Sequence, residues 1–389
     1  MSDVEDMTDE VEVDESKVDK VLDPSNQDVV TKYQCAASIA NRAMKALADS
    51  AIKGVKIVEL CEKGDEFVLA ECSKVYAKGK VEKGIAFPTS ISVNNIAGHF
   101  SPLLGDTTEL KAGDLVKIDL GVHIDGFAAL TARTIVIPDG KPLDGRRADA
   151  IAACYTAAQA ALRLIVPGQK NTELTKFFWK SAQAFNCTPM QGVLSHELKQ
   201  FIIDGSNVII GKIDIDQGIK VDEFEFEINQ VYAIDIVMST GEGKVRELNE
   251  ATTVYKREVD RNYNLKMKAA RYVLTEVNSR FPTYPFTIRA LKDKRAKLGI
   301  VECKNHELVQ PYPVLHERAG EFVAQLKFTV LLLPTGTINI TGFDADLSQI
   351  QTKFSVEDEE LKALLARQIK KKGRRRRKKK TKKDVEMAS

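Results

Sequence analysis

Asp119 and Asp235 are the residues of this sequence whose setting demands chemistry. Each stands inside an apolar run, Lys117-Ile118-Asp119 and Ala233-Ile234-Asp235, and a Gly-bearing turn follows both. A carboxylate in a buried strand is costly unless a cation or a metal ion meets it. Two such positions 116 residues apart point to a duplicated half with one shared polar centre. A second chemistry lies in the cations. Residues 256–304 hold thirteen Lys or Arg against five carboxylates, and residues 367–384 hold thirteen against Asp384 alone. Such density suits polyanions, because each neutralised phosphate releases counterions and makes binding strong and salt-sensitive. A solvated tail or a nuclear-import signal accounts for the second run as well, although its cations exceed what an import signal requires.

The elements that must position these residues follow from periodicity. Val29, Val30, Tyr33, Ala37, Ala40, Met44 and Leu47 recur mostly at three or four positions, predicting a helix over 28–53 and another over 56–77. Leu115 to Ile124 alternates and meets Asp125-Gly126, with 127–137 returning, which is a hairpin signal. Helices are expected at 147–165, 171–185 and 265–281, and strands at 230–238 and 321–333. Helices interleaved with antiparallel strands predict an α+β body.

Of the 389 residues 43% are hydrophobic and 29% charged, so a core can form without disulfide or metal staples. No run approaches the ~18 apolar residues of a spanning helix, and no membrane insertion is expected. The acidic start lacks the basic-then-apolar order of a secretory signal. Six cysteines without a C-x-x-C pair argue against a zinc cage or a disulfide framework and suit a reducing, intracellular setting. The formal charge of +2 conceals −7 over residues 1–20, +8 over 256–304 and +12 over 367–384. The expected organisation is an acidic disordered segment at 1–20, a folded body at 21–366 and a basic disordered tail at 367–389. Neither end holds enough apolar surface to offset the entropy of ordering.

Ala86-Phe87-Pro88-Thr89-Ser90-Ile91-Ser92-Val93-Asn94-Asn95, with Gly98-His99-Phe100-Ser101-Pro102, resembles the early motif of the type two methionine aminopeptidases. Lys117 to Ile124, Val231 to Asp235 and Ala324 to Thr329 resemble their metal-ligand strands. The resemblance spans residues 28–345. It implies the pita-bread fold, a curved antiparallel sheet backed by helices, with a helical insert at about 250–305. That family holds two divalent ions with two Asp, one His and two Glu, and the ions jointly activate a water. The resemblance places those ligands on Asp119, Leu130, His196, Asp235 and Lys327, and two substrate-side histidines on His99 and Asp204. Leu130 cannot ligate, and Lys327 is a cation where a bridging carboxylate belongs. Asp119 and Asp235 against a protonated Lys327 sum to −1, where the family offers four negative charges. The expected arrangement is therefore internal: Lys327 pairs with both aspartates, with no metal, no cofactor and no peptidase activity. The rival is a methionine aminopeptidase with an altered metal site; Asp119, His196 and Asp235 are the residues that could still hold a single ion.

The lost ligands, the acidic start, Ser239-Thr240-Gly241-Glu242-Gly243-Lys244, Gly320-Glu321-Phe322-Val323-Ala324-Gln325 and the basic tail resemble the proliferation-associated proteins, also called the ErbB-receptor-binding protein group. This resemblance covers the whole chain. It implies a non-peptidase of cytoplasm, nucleus and nucleolus that binds RNA and the large ribosomal subunit near the exit tunnel, acting in ribosome biogenesis, translation and growth regulation. Ribosomal RNA and large-subunit proteins are the expected partners, with DNA or transcription regulators as a second class. Candidate phosphate contacts are Lys266, Lys268, Arg271, Lys292, Lys294, Arg295 and Lys297 in the insert. Arg374, Arg375, Arg376, Arg377, Lys378, Lys379 and Lys380 supply them in the tail. Leu361-Lys362-Ala363-Leu364-Leu365 fits the Leu-x-x-Leu-Leu helix that docks transcription regulators; a helix capping the body explains the same leucines.

Overall fold

The alternating runs become strands of one nine-stranded sheet. Its order is Lys83–Val93, Leu115–Ile124, Phe127–Val136, Val323–Leu333, Val231–Ser239, Leu194–Glu197, Val208–Ile210. Gly336–Asn339 and Thr188–Pro189 pair beside the fourth and fifth of these. This computed structural model describes residues 22–212, 222–248, 250–293, 295–342 and 350–369. Asp125 and Gly126, with φ of 55° and 74°, turn the 115–124 strand into its neighbour, a conformation that matches strand twist.

Helices cover one face of the sheet. α1 (Gln27–Ser50) and α2 (Ile57–Lys74) pack on Val116, Ile118, Leu120 and Val122. α3 (Gly145–Leu164) and α4 (Asn171–Gln183) pack on Ile234, Ile236, Leu326 and Phe328. Alternate side chains of a strand point to opposite faces, so the same register sends Asp119, Asp235 and Lys327 away from the helices.

The insert is a folded unit with its own core. α5 (Lys268–Arg280) and α6 (Ala296–Asn305) bury Ala270, Val273, Val277, Ile300 and Cys303 against a three-stranded sheet of Phe286–Thr287, Val254–Arg257 and Val309–Tyr312. The unit runs past residue 305 to Tyr312, because Val309–Tyr312 returns to pair with Val254–Arg257.

α7 (Glu359–Ala366) closes the body. Leu361 and Leu364 are 0% and 2% exposed in the core shared with α3 and α4, and the half-buried Leu365 packs against that core. Lys176 and Lys180 of α4 pair with Asp358 and Glu360. Of the two readings of Leu361, Leu364 and Leu365, this burial favours the helix that caps the body. Presenting the motif would return two core leucines to water, at about 1.5–3 kcal/mol each. Residues 1–20, Lys294 and the tail cations Arg374 to Lys380 lie outside the described residues. No described helix is long and apolar enough to cross a membrane.

Candidate functional site

Cross-strand register assembles the site. Asp119 stands opposite Ala132, Ala132 opposite Lys327, and Lys327 opposite Asp235. The alanine's methyl group leaves the lysine room to cross over it. Lys327 Nζ lies 2.6 Å from Asp119 Oδ2 and 3.0 Å from Asp235 Oδ2. Gln325 Nε2, two residues along the same strand, donates to Asp235 Oδ1 at 2.9 Å. The Phe87 ring centroid is 5.4 Å from the ammonium, a cation–π contact.

Burial alone would lower the lysine's affinity for its proton, but the two carboxylates overcome it and hold Lys327 above its ordinary range. Burial pushes the Asp119 carboxyl up to about 6 against the pull of Lys327. The two directions compete. The lysine's governs, since an ammonium at 2.6 Å stabilises the very charge that burial penalises. At neutral pH the Lys327 ammonium therefore faces an ionised Asp119, with the Asp235 side chain also within ion-pair distance.

His99, Asp119, Leu130, His196, Asp204, Asp235 and Lys327 all line one cavity of about 190 Å³. Leu130 faces Gly121, where an added Cβ would collide with the leucine side chain and the Phe87 backbone. His99 takes a φ of 65°, places Nδ1 2.9 Å from Pro313 O, and packs edge-on against Tyr312. His196 Nδ1 lies 3.4 Å from Gly205 O, and burial lowers its pKa. Asp204 turns to the insert: Lys256 Nζ donates to its two oxygens at 2.6 and 2.5 Å. Sequence reasoning missed Gln325, which the period of two from Lys327 could have found. It also missed Lys256, for which no local signal exists.

Burial pushes the His99 imidazole down to about 4 from 6.5. Its ring-proton NMR shifts should stay flat from pH 8 to 5; titration near 6.5 would contradict the burial. The unfolded chain takes up this proton near 6.5 while the folded one waits until about 4, so His99 costs stability as the pH falls through that window.

Two divalent ions do not fit here. Leu130 offers no oxygen, and Lys327 places a positive charge between the remaining aspartates. Repulsion between unit charges at ~4 Å is worth roughly 4 kcal/mol at an effective dielectric of about 20, and a divalent ion doubles it. Among the described residues no group of three or more His, Cys, Asp or Glu is placed to hold a metal ion.

The insert's cations lie apart from this cavity. Lys266, Lys268, Arg271, Lys292 and Lys297 are exposed, while Arg295, also exposed, is held by Asp293 at 2.5 Å.

The model of metallopeptidase family M24 matches residues 31–252. The chain belongs to metallopeptidase family M24. Within that family it is 50% identical over 366 residues to ErbB-3 binding protein 1 of Solanum tuberosum, covering 92% of this chain and 93% of that one. It is 45% identical to proliferation-associated protein A of Dictyostelium discoideum, over 92% of this chain and 94% of that one. The solved structure of a thermophilic Arx1 superposes with a TM-score of 0.84 at 30% identity, over 89% of this chain and all of that one. The fold is the M24 pita-bread fold, and the thermophilic Arx1 shares it along its whole length.

Proposed function

We propose that this M24 member is a catalytically silent adaptor that binds ribosomal RNA and protein on the large ribosomal subunit near the tunnel exit. Its roles lie in ribosome biogenesis, translation and growth regulation, and its places are the cytoplasm, nucleus and nucleolus. The observation that carries the silent half is the ammonium of Lys327 between Asp119 and Asp235, where the family's bridging carboxylate would stand. Wild-type protein in manganese or cobalt buffer should release no methionine from Met-peptides. Release would restore the aminopeptidase reading.

The insert supports the RNA half. α5 has neither an acidic residue in its first turn nor a side-chain cap, and Lys268 and Arg271 stand there; α6 carries Lys297 in its first turn, with the Asp293 carboxylate before it accepting from Arg295 N–H. Cations at a helix start oppose the helix dipole, so fold stability does not call for them. Helix end and side chains together form a positive surface that receives phosphate. Such contacts position a protein on RNA without reading sequence. Changing Lys268, Arg271 and Lys297 to Glu should weaken ribosome co-sedimentation about tenfold or more and flatten its salt dependence by roughly two to three ions. Unchanged sedimentation would remove the insert from the interface. The transcription-regulator reading loses its leucine helix to the core and rests on the tail alone.

A further inference from the structure

A groove of about 550 Å³ runs between α2, the 83–93 strand and the insert, and it shares no lining residue with the Lys327 cavity. That strand is the outermost of the sheet, and among the described residues it pairs with the 115–124 strand alone. On its outer side α2 packs against it, and the Thr89 N–H donates to Asp65 of that helix. Lys83 and Ile85, whose backbone groups alternate away from the 115–124 strand while those of Gly84 face His123, thus offer a short backbone edge to the groove, the template that an extended segment completes.

The groove's charges are divided. Glu62 and Glu66, four apart on α2, and Glu82 at the strand's start have no basic partner among the described residues. Two of its four cations have carboxylate partners, Arg289 with Asp65 and Arg280 with Glu276, which leaves three acidic side chains against Lys83 and Lys292. Lys83 donates to Val75 O and Tyr76 O, Arg289 to Asp65, and Arg280 to Ala290 O; Lys292 stands at the insert rim. Leu69, 53% exposed, adds an apolar wall. His123 lines the floor, 5% exposed and stacked on Tyr284, with Nδ1 buried and unpartnered. A buried polar atom left unsatisfied marks a place where a partner group is wanting.

We propose that this groove holds the far part of the chain's own basic tail, residues 376–383, as an extended segment beside Lys83 and Ile85 with its cations on Glu62, Glu66 and Glu82. The tail starts at the correct end of the molecule. The carbonyl of Arg367, just past α7, accepts from Arg163 near the end of α3, where Thr337 also reaches Ile165 O. Thr337 pairs with Leu332, at the end of the sheet that carries the 125–126 turn and the start of the 83–93 strand. Four strand spacings of ~4.8 Å, counted from Leu332 to the position beyond the 83–93 strand, and one layer of ~10 Å put the groove about 30 Å away. About nine extended residues at ~3.3 Å each cover that distance. Tethering supplies a local concentration on the order of millimolar. Docked tail cations are withheld from phosphate, a consequence that rests on the RNA-binding reading; the docking itself does not.

Carbodiimide coupling of the full chain at low salt, read by peptide mapping of the monomer, tests the contact. Glu62, Glu66 or Glu82 should be joined to lysines of the tail. Tail lysines joined instead to residues 1–20, or spread evenly over the body's carboxylates, overturn it. Trypsin provides a second readout: the tail should be cut about fivefold faster in a Glu62→Gln, Glu66→Gln, Glu82→Gln variant than in wild type, a difference erased at about 0.5 M salt. Equal rates at low salt overturn the proposal. Neither readout contains RNA, so failure here leaves the RNA-binding reading where it stood.

Discussion

Lys327→Met lowers the unfolding free energy at pH 7 by about 3–5 kcal/mol, the cost of leaving buried charges without their partner. The substitution strands Asp119 and Asp235 in one cavity with only Gln325 between them. Two carboxylates that close cannot both ionise, so one holds a proton well above the ordinary carboxylate range. The folded variant then binds a proton that the unfolded chain releases until about pH 4. Stability of the variant therefore rises, relative to wild type, as the pH falls from 7 towards 5. Denaturant unfolding of both proteins at the two pH values measures this. An equal deficit at both would mean that lost packing, not stranded charge, is the cause. Adding Asp119→Asn and Asp235→Asn should recover most of the loss, because removing the whole group leaves no buried charge behind.

The second large effect lies where the insert meets the body. Arg289, whose side chain is 5% exposed, donates to Asp65 Oδ2 at 2.7 Å, Ser101 Oγ at 3.1 Å and Pro102 O at 2.8 Å. Asp65 Oδ1 in turn accepts from the Thr89 backbone at 2.8 Å. Burial pushes the Asp65 carboxyl up while Arg289 pulls it back. Arg289→Met should cost about 3–5 kcal/mol, and Asp65→Asn with it should restore much of that by removing the orphaned charge. A double-mutant cycle measures the coupling, expected near 2 kcal/mol or more for groups in one buried network. Hydrogen exchange should locate the damage: amides of Val273, Val277 and Ile300 in the insert core should exchange faster than those of Ile118 and Leu120 in the sheet. Uniform acceleration would show that the insert and body unfold as one.

Much of this protein was legible before its fold was known. Strands 115–124 and 127–136 follow from their alternation and from Asp125-Gly126, and α1, α3 and α4 from apolar residues three and four apart. The insert was harder, for two reasons. Its helix α6 is ten residues long, with Gly299 pressed against the Ala269 backbone, too short for a clear period. Its closing strand 309–312 is defined by a partner more than fifty residues earlier.

The sequence by itself determined which residues had lost their ligand chemistry: Leu130 has no donor atom and Lys327 carries the wrong sign in any fold. It determined equally that the cations are gathered in two stretches. Only the tertiary structure decided that Ala132 leaves a gap through which Lys327 reaches Asp119, that Asp204 is claimed by Lys256, and that the leucines of α7 face inward. The reason is physical. Side-chain chemistry and short-range periodicity are properties of neighbouring residues, whereas register across a sheet and burial against another helix depend on segments the chain brings together from far apart.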